Sequence, residues 1–185
     1  MNSVAVFGIS VVLSTVSSSL AATLYVWPRL RIIDRDQALA TLVAPHMFLR
    51  FIGLSVLVPG VVSPLLPGAF AIPAAYGDLV AGILAIIATA ALSKHVSWAV
   101  AAVWLFNVWG TSDFVYAFLE GPRVLTDMGT LGAAFFIPTA VVPPLFVTHI
   151  LVFLLLLRPS HEPVVGGADA NPLGTRAAAW KSGRV

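Results

Sequence analysis

Six polar side chains lie within stretches of the chain that are otherwise almost entirely apolar. They are His46, Arg50, Asp78, Asn107, Asp113 and His149. A guanidinium, two carboxylates, an amide and two imidazoles could together bind an anion, a proton or a small polar solute. Ionisable groups within membrane helices usually pair with one another and mark functional sites. We therefore treat these six as the candidate ligand-binding residues.

The composition of the chain explains the apolar surroundings of these residues. Of the 185 residues, 59% are hydrophobic and only 10% are charged, and the mean hydropathy is +0.97. A soluble domain carries about 25% charged residues, because water must solvate its surface. The composition therefore predicts a membrane protein whose main partner is the lipid bilayer.

Five apolar stretches are long enough to cross about 30 Å of hydrocarbon, which takes about 20 residues. They cover residues 4–26, 39–62, 70–92, 97–119 and 131–157. No basic residue precedes the first stretch, as it would in a signal peptide, so we predict a retained first helix. The predicted fold is an all-α, polytopic bundle of five transmembrane helices in one domain, residues 1–158. Residues 159–185 are rich in Gly, Pro and Ala and are predicted to form a disordered cytoplasmic tail.

The basic residues of the loops predict the orientation, because Lys and Arg accumulate on the cytoplasmic side. Loops one and three and the tail carry eight of them, whereas the loops on the other side carry only Arg123. The eight are Arg29, Arg31, Arg35, Lys94, Arg158, Arg176, Lys181 and Arg184. The N-terminus is therefore predicted outside and the C-terminus in the cytoplasm.

The rise of a helix gives the depth of each polar residue below the cytoplasmic edge. The estimated depths are about 16 Å for Arg50, 18 Å for Asp78 and 15 Å for Asn107, which places the three residues in one layer near the midplane. Asp113 lies roughly 9 Å further outward, where a solvated mouth is one interpretation. Gly110 allows close approach between Asn107 and Asp113. The central layer predicts either a buried ion pair of Arg50 with Asp78 or a polar binding site.

The two histidines form a second predicted layer. His46 lies one turn from Arg50 on the same helix face, and it comes out about 10 Å from the cytoplasmic edge, against about 13 Å for His149. They could bond to backbone groups that nearby prolines free. Alternatively, they could ligate haem b between helices, because histidine is a common axial ligand of haem iron. No metal site and no other cofactor is expected.

Prolines interrupt two of the predicted helices. Pro45 lies in the first turns of helix two, and Pro138, Pro143 and Pro144 lie within helix five. Each proline removes a backbone donor and clashes with the preceding turn. In lipid the freed groups must find partners on neighbouring helices or in water. Helix five is therefore predicted to be kinked or partly unwound next to protein or a cavity.

Small residues recur at every fourth position of helix one, at Ser10, Ser14, Ser18 and Ala22. Such a face lets two membrane helices approach closely. The main interpretation is a packing seam inside the bundle. The alternative is an interface of a homo-oligomer.

Several classes of function are excluded or disfavoured by what the sequence lacks. The chain has no cysteine, no clustered basic motif of a nucleic-acid reader, no phosphate loop and no HExxH motif. We therefore expect no nucleic-acid partner, and an enzyme is disfavoured although not excluded. The favoured function is transport of a small solute, ion or proton, or ligand binding, in a cell inner membrane. The alternatives are a haem-b redox protein and a non-catalytic accessory subunit.

Overall fold

A computed structural model describes residues 2–125 and 127–158. These residues form helices that are joined by short turns and loops, and they contain no strand. Five long helices follow one another along the chain. They are α1 (Ser3–Leu30), α2 (Arg35–Leu57), α3 (Gly68–Ser93), α4 (Ala99–Val124) and α5 (Ile137–Leu156). The tail predicted to be disordered, residues 159–185, lies outside the described residues.

Four of the helices, α1, α2, α3 and α5, are long and apolar enough to cross a membrane. Helix α4 has 26 residues, as many as α3, and is therefore about 39 Å long. It is not apolar enough to be counted with the other four, and its polar residues include Asn107, Asp113 and Glu120. The all-helical fold predicted from composition is thus observed, with four helices long and apolar enough to cross a membrane and a fifth helix, α4, of the same length as α3.

Helices α1 and α2 are irregular along their length. Helix α1 is α-helical over Ser3–Ala21, then has one π-helical turn, Ala22–Val26, and a final turn. Helix α2 is α-helical over Arg35–Val43 and again over His46–Leu49, and continues as a 3₁₀-helix over Arg50–Leu57. The first interruption of α2 falls at Pro45, where the sequence predicted a break.

Helix α5 begins six residues later than predicted. Residues Met128–Phe135 form a separate 3₁₀-helix, in which Gly132 has φ 53° and ψ −131°. A Cβ at Gly132 would overlap the carbonyl oxygen of Val61. The amide of Ala133 donates to this same oxygen at 2.8 Å, so the segment is attached to the loop between α2 and α3. This close approach, which local sequence does not reveal, separates the segment from α5 and delays the start of the helix.

The prolines of α5 lie at the starts of its two helical segments. Pro138 is in the first turn of the π-helical segment Ile137–Val141, and Pro143 and Pro144 are in the first turn of the α-helical segment that follows. At Pro138, which begins the helix, a proline is tolerated because its missing N–H would have no partner there. Pro143 and Pro144 lie inside the continuous helix, where the π-helical segment passes into the α-helical one. The predicted interruption is therefore a change of helix type.

Helices α2 to α5 pack around one another, with α3 and α5 each contacting both α2 and α4. The half of this bundle nearest Arg29, Arg35 and Lys94, which we call the basic end, is filled by an apolar layer. This apolar layer contains Leu39, Leu42, Val43, Ala85, Ala88, Val103, Phe106, Val152 and Leu155. The two α3 alanines of this layer, Ala85 and Ala88, are fully buried and let the neighbouring helices approach closely.

Polar contacts fix both ends of the bundle. At the basic end, the Arg35 guanidinium donates to the carbonyls of Leu155 and Leu156, the last residues of α5. At the opposite end, the Ser3 hydroxyl donates to the Asp127 carboxylate at 2.6 Å. This bond and a second one from the Gly129 amide lower the pKa of the exposed Asp127. The first contact caps a helix, and the second joins α1 to the segment before α5.

Helix α1 lies on the outside of the bundle and packs against α5. Ser10, Ser14 and Ser18 are half-buried and Ala22 is buried, whereas Leu13 on the other side is 61% exposed. The small-residue face is therefore turned towards the bundle. This supports the internal packing seam, and the homo-oligomer stays a prediction.

We expect Gly132→Ala to lower the free energy of unfolding by about 1–3 kcal/mol, because the left-handed backbone is strained for alanine and its Cβ would meet Val61. The matched control is Gly8→Ala on α1, where an added Cβ would meet no atom within 4 Å apart from the neighbouring backbone of its own helix. Denaturant unfolding in detergent micelles, followed by circular dichroism, measures both. Equal stability of the two variants would contradict the close approach.

Candidate functional site

The Arg50 side chain is the centre of the predicted polar site, and it is only 1% exposed. It leaves α2 at the start of the 3₁₀ segment and points between α3 and α4. Its Nη1 atom donates to Asp78 Oδ1 and to Asp113 Oδ2, both at 2.7 Å. One guanidinium nitrogen thus bonds two carboxylates from two helices.

The second terminal nitrogen of Arg50 has neutral partners. Nη2 donates to the Gly110 carbonyl oxygen at 2.8 Å and to His149 Nε2 at 2.9 Å. The ring of Phe114 covers the guanidinium, with 3.5 Å between Cζ and the ring centroid. All four hydrogens on the terminal nitrogens are therefore engaged. Of the Arg50 donors, only the buried Nε–H finds no partner among the described residues.

The partners of His149 determine which of its nitrogens carries the proton. A guanidinium can only donate, so Nε2 must accept. Nδ1 then carries the hydrogen and donates to Asn107 Oδ1 at 2.7 Å. The Asn107 amide nitrogen in turn donates to the backbone oxygen of His149 at 3.2 Å. Asn107 therefore fixes both the ring and the backbone of a neutral His149, assigned from the bonding network.

His46 joins this network through ring contacts and Thr148. The Thr148 hydroxyl donates its one hydrogen to the Leu145 carbonyl, so it must accept from His46 Nε2 at 2.8 Å. This assignment leaves His46 Nδ1 as a buried acceptor that no described group satisfies. The His46 and His149 rings lie 4.5 Å apart, and Phe106 packs against both.

Three glycines make room for these polar side chains. A Cβ at Gly53 would overlap the Asp78 carboxylate, and one at Gly77 would overlap the carboxylate of Asp113. At Gly110, a Cβ would lie 2.6 Å from His149 Cε1 and 2.7 Å from Arg50 Nη2. Only the last glycine is expected from the sequence. The sequence does contain a clue to the other two glycines, since each lies near a charged residue of the site. Gly53 follows Arg50 by one turn, and Gly77 directly precedes Asp78.

A cavity of about 90 Å³ adjoins the two aspartates. This is several times the volume that one water needs. The cavity extends from the aspartates towards the end of the bundle opposite the basic end, and apart from these carboxylates its walls are almost wholly apolar. The aromatic residues in the walls are Phe7, Phe70, Phe114 and Phe118, and the far end contains Gly121, Pro122, Leu125, Met128 and Leu131.

The structure brings all six predicted site residues together, but not in the two layers predicted. Asp113 binds Arg50 next to Asp78, and its side chain is only 9% exposed. The predicted position of Asp113 in a solvated mouth is therefore wrong. His149, predicted in the second layer, bonds Arg50 directly. The depth estimates followed helix axes and neglected the length of the Arg50 side chain, which joins both layers.

The histidine pair does not fit the haem alternative. The two axial histidines of a haem lie on opposite faces of the porphyrin, so the porphyrin must fit between their imidazole rings. Here the two rings contact each other, and each Nε2 atom is hydrogen-bonded to another side chain. Over residues 2–125 and 127–158, no group of three or more His, Cys, Asp or Glu side chains could hold a metal ion.

The fold and the site define a class: a helical bundle of membrane type with a buried polar network at its centre. Residues 6–157 match the family described as Domain of unknown function (DUF8737). Because this match covers most of the chain, the chain belongs to that family. No curated protein and no solved structure matches it. The function must therefore be inferred from the site itself.

We expect Gly110→Ala to destabilise the protein by about 1–3 kcal/mol, because an added methyl group would displace Arg50 and His149. The matched control is Gly121→Ala on the same helix, where an added Cβ would lie 3.7 Å from Phe70 in ordinary contact. Thermal unfolding in the same detergent compares the two. If Gly121→Ala is the more damaging change, the close packing at Gly110 is refuted.

Arg50→Leu should destabilise the protein by about 3–5 kcal/mol, because it leaves two buried carboxylates without a counter-ion. The triple variant Arg50→Leu/Asp78→Asn/Asp113→Asn removes all three charges and should recover a large part of this loss. The measurement is the free energy of unfolding of the single and triple variants. A triple variant as unstable as Arg50→Leu would show that the charges are not coupled.

Proposed function

We propose that this protein crosses a bacterial-type inner membrane five times and binds one small cation or a proton at its central polar network. This binding would serve either transport or ligand recognition. The proposal keeps the intramembrane site expected from the sequence and narrows the charge of its ligand. The main observation that supports the proposal is that two carboxylates share the single positive charge of Arg50.

The fifth span and the orientation are supported by the packing of the helices and the positions of the basic residues. Helix α4 packs against α3 and α5 and is about 39 Å long, enough to cross the bilayer with them. At the end opposite the basic end, Arg123 is paired with Glu120 at 2.8 Å. Positive residues favour the cytoplasm, so the basic end is proposed to face it, with the N-terminus outside.

The polar network contains one negative charge more than it can balance. Arg50 contributes one positive charge, and Asp78 and Asp113 contribute two negative charges when both are ionised. His149 accepts from Arg50 and is therefore neutral. A second proton on His46 would lie on the buried Nδ1, where no described group could accept it, so His46 is also counted as neutral. An uncompensated carboxylate costs much free energy in a low-dielectric interior. A bound proton or cation would remove that cost.

An anion, which the sequence also allowed, is disfavoured by the bonding of Arg50. Its four terminal hydrogens are already donated to Asp78, Asp113, Gly110 and His149. A ligand in the cavity would meet the carboxylates before the guanidinium. The electrostatic preference of the site is therefore for positive charge.

Along the axis of the bundle, the inner cavity reaches the network from one end only in this conformation. The cavity runs from the carboxylates to the end opposite the basic end. Towards the basic end, the apolar layer closes the bundle, and Leu39, Val43, Phe106 and Val152 in it are completely buried. A site open to one side supports ligand binding or one step of transport, and it does not support a continuous pore.

The accessory-subunit alternative has one specific observation in its favour. The hydrogen bonds of Arg50 connect α2 to α3, α4 and α5, so the network could serve only to fix the packing of these helices. This role would need Arg50 and its partners but no ligand. Binding and flux measurements distinguish the two functions.

We expect the protein in phosphatidylcholine liposomes to bind radiolabelled methylammonium or to conduct protons, read by an entrapped pH dye under an imposed membrane potential. Asp113→Asn should reduce either signal at least about tenfold, a loss of about 1.4 kcal/mol of binding free energy, because it removes the excess charge. Asp127→Asn, the same change at an exposed carboxylate, is the matched control and should retain the signal.

Two outcomes would refute the proposal. The first is a native protein that shows neither methylammonium binding nor proton flux while remaining folded. The second is an Asp113→Asn variant with the native signal. Either result would favour the accessory subunit.

A further inference from the structure

A second concavity lies on the outer surface of the bundle, between α3 and α4. It has a volume of about 510 Å³, within the range of small-molecule sites. Exposed aromatic side chains border it: Tyr76, Trp109 and Tyr116. The Trp109 indole N–H donates to the Gly77 carbonyl at 3.2 Å, which holds the ring against α3. We call this surface the lateral groove.

Asp113 lines both the lateral groove and the inner cavity. Its Oδ2 atom bonds Arg50, whereas no hydrogen bond reaches Oδ1 from any described residue. Oδ1 is the atom nearest to the place where a Cβ of Gly77 would lie, and Gly77 itself lines the groove. A side chain that is nine-tenths buried thus has one carboxylate oxygen without a hydrogen bond, and this oxygen occupies the space that the missing side chain of Gly77 leaves against α3.

The depth of the groove restricts what can enter it. Asp113 lies about 21 Å from the start of α4 and about 16 Å from its end, near the middle of the helix. In a bilayer, the groove would face hydrocarbon, so its ligand must first dissolve in lipid. The ammonium headgroups of lipids lie at the membrane surface, too far from this depth. The ligand therefore needs an apolar body of its own.

We infer that the lateral groove admits an amphipathic amine from the bilayer, with its ammonium group on the free oxygen of Asp113 and its apolar body against Tyr76, Trp109 and Tyr116. The aromatic side chains provide a large apolar contact area for the body of the ligand. The attraction between an ammonium group and a carboxylate strengthens where water is excluded. A fatty acid would be repelled by the carboxylate. The inference rests on the proposed function, because it uses Asp113 as the acceptor of positive charge.

Quenching of Trp109 fluorescence tests the inference in phosphatidylcholine liposomes. The probe is 4-bromobenzylamine, whose bromine quenches a tryptophan on contact, and 4-bromobenzyl alcohol and 4-bromobenzoate are the neutral and anionic comparisons. We expect saturable quenching by the amine at a concentration at least about tenfold below that of the alcohol. This component should disappear in Trp109→Phe, which assigns it to the groove.

Substitutions then separate the groove from the inner cavity. Asp113→Asn should abolish the preference for the amine, and Asp113→Glu, which keeps the charge, should retain it if the Asn variant fails to fold. Val80→Phe fills the groove, which Val80 lines, and should weaken amine quenching at least about tenfold. Val12→Phe, the same change on exposed α1, should have no effect.

The failures of the two proposals are distinguishable. Amine quenching that needs Asp113 but is unchanged in Val80→Phe would overturn lateral entry and leave the proposed function standing. Equal quenching by the amine and the alcohol would overturn the lateral amine site. If methylammonium binding and proton flux are absent as well, the cation site itself fails.

Discussion

The desolvated guanidinium of Arg50 is the constraint on which the rest of the bundle depends. A buried charge is tolerated only when its hydrogens have partners and a counter-ion lies close. Asp78, Asp113, Gly110 and His149 provide these partners from three neighbouring helices. Each must present one particular atom to one side chain, so the network fixes the relative rotation and height of α2 to α5.

The backbone irregularities of the bundle serve this arrangement. The 3₁₀ segment of α2 begins at Arg50, and Gly53, Gly77 and Gly110 each leave the volume of a missing side chain next to a polar group. Glycine within a helix is unfavourable by about 1 kcal/mol relative to alanine in water. Here it allows helices to approach closely enough for short hydrogen bonds, as small residues do in membrane proteins.

The same network has one more negative group than positive groups, and it borders an internal cavity. These two features relate the structure to the proposed function. Two carboxylates share one guanidinium, and both line a cavity whose other walls are almost wholly apolar. A purely structural ion pair needs no second carboxylate and no cavity. Asp113 also borders the lateral groove, so one side chain connects the helix-packing network to two surfaces from which a ligand could arrive.

The sequence by itself determined the helical class, the approximate helix bounds and the identity of the six polar residues, because lipid excludes isolated charges and favours long apolar helices. Only the tertiary structure decided that Asp113 shares Arg50 with Asp78, that the histidines touch, and that Gly53 and Gly77 face carboxylates. The late start of α5 was decided in the same way, by the contact of Gly132 with Val61. Sequence gives a residue's position along its own helix. The rotation of that helix, the reach of its side chains and its contacts with distant segments depend on how all the helices pack together.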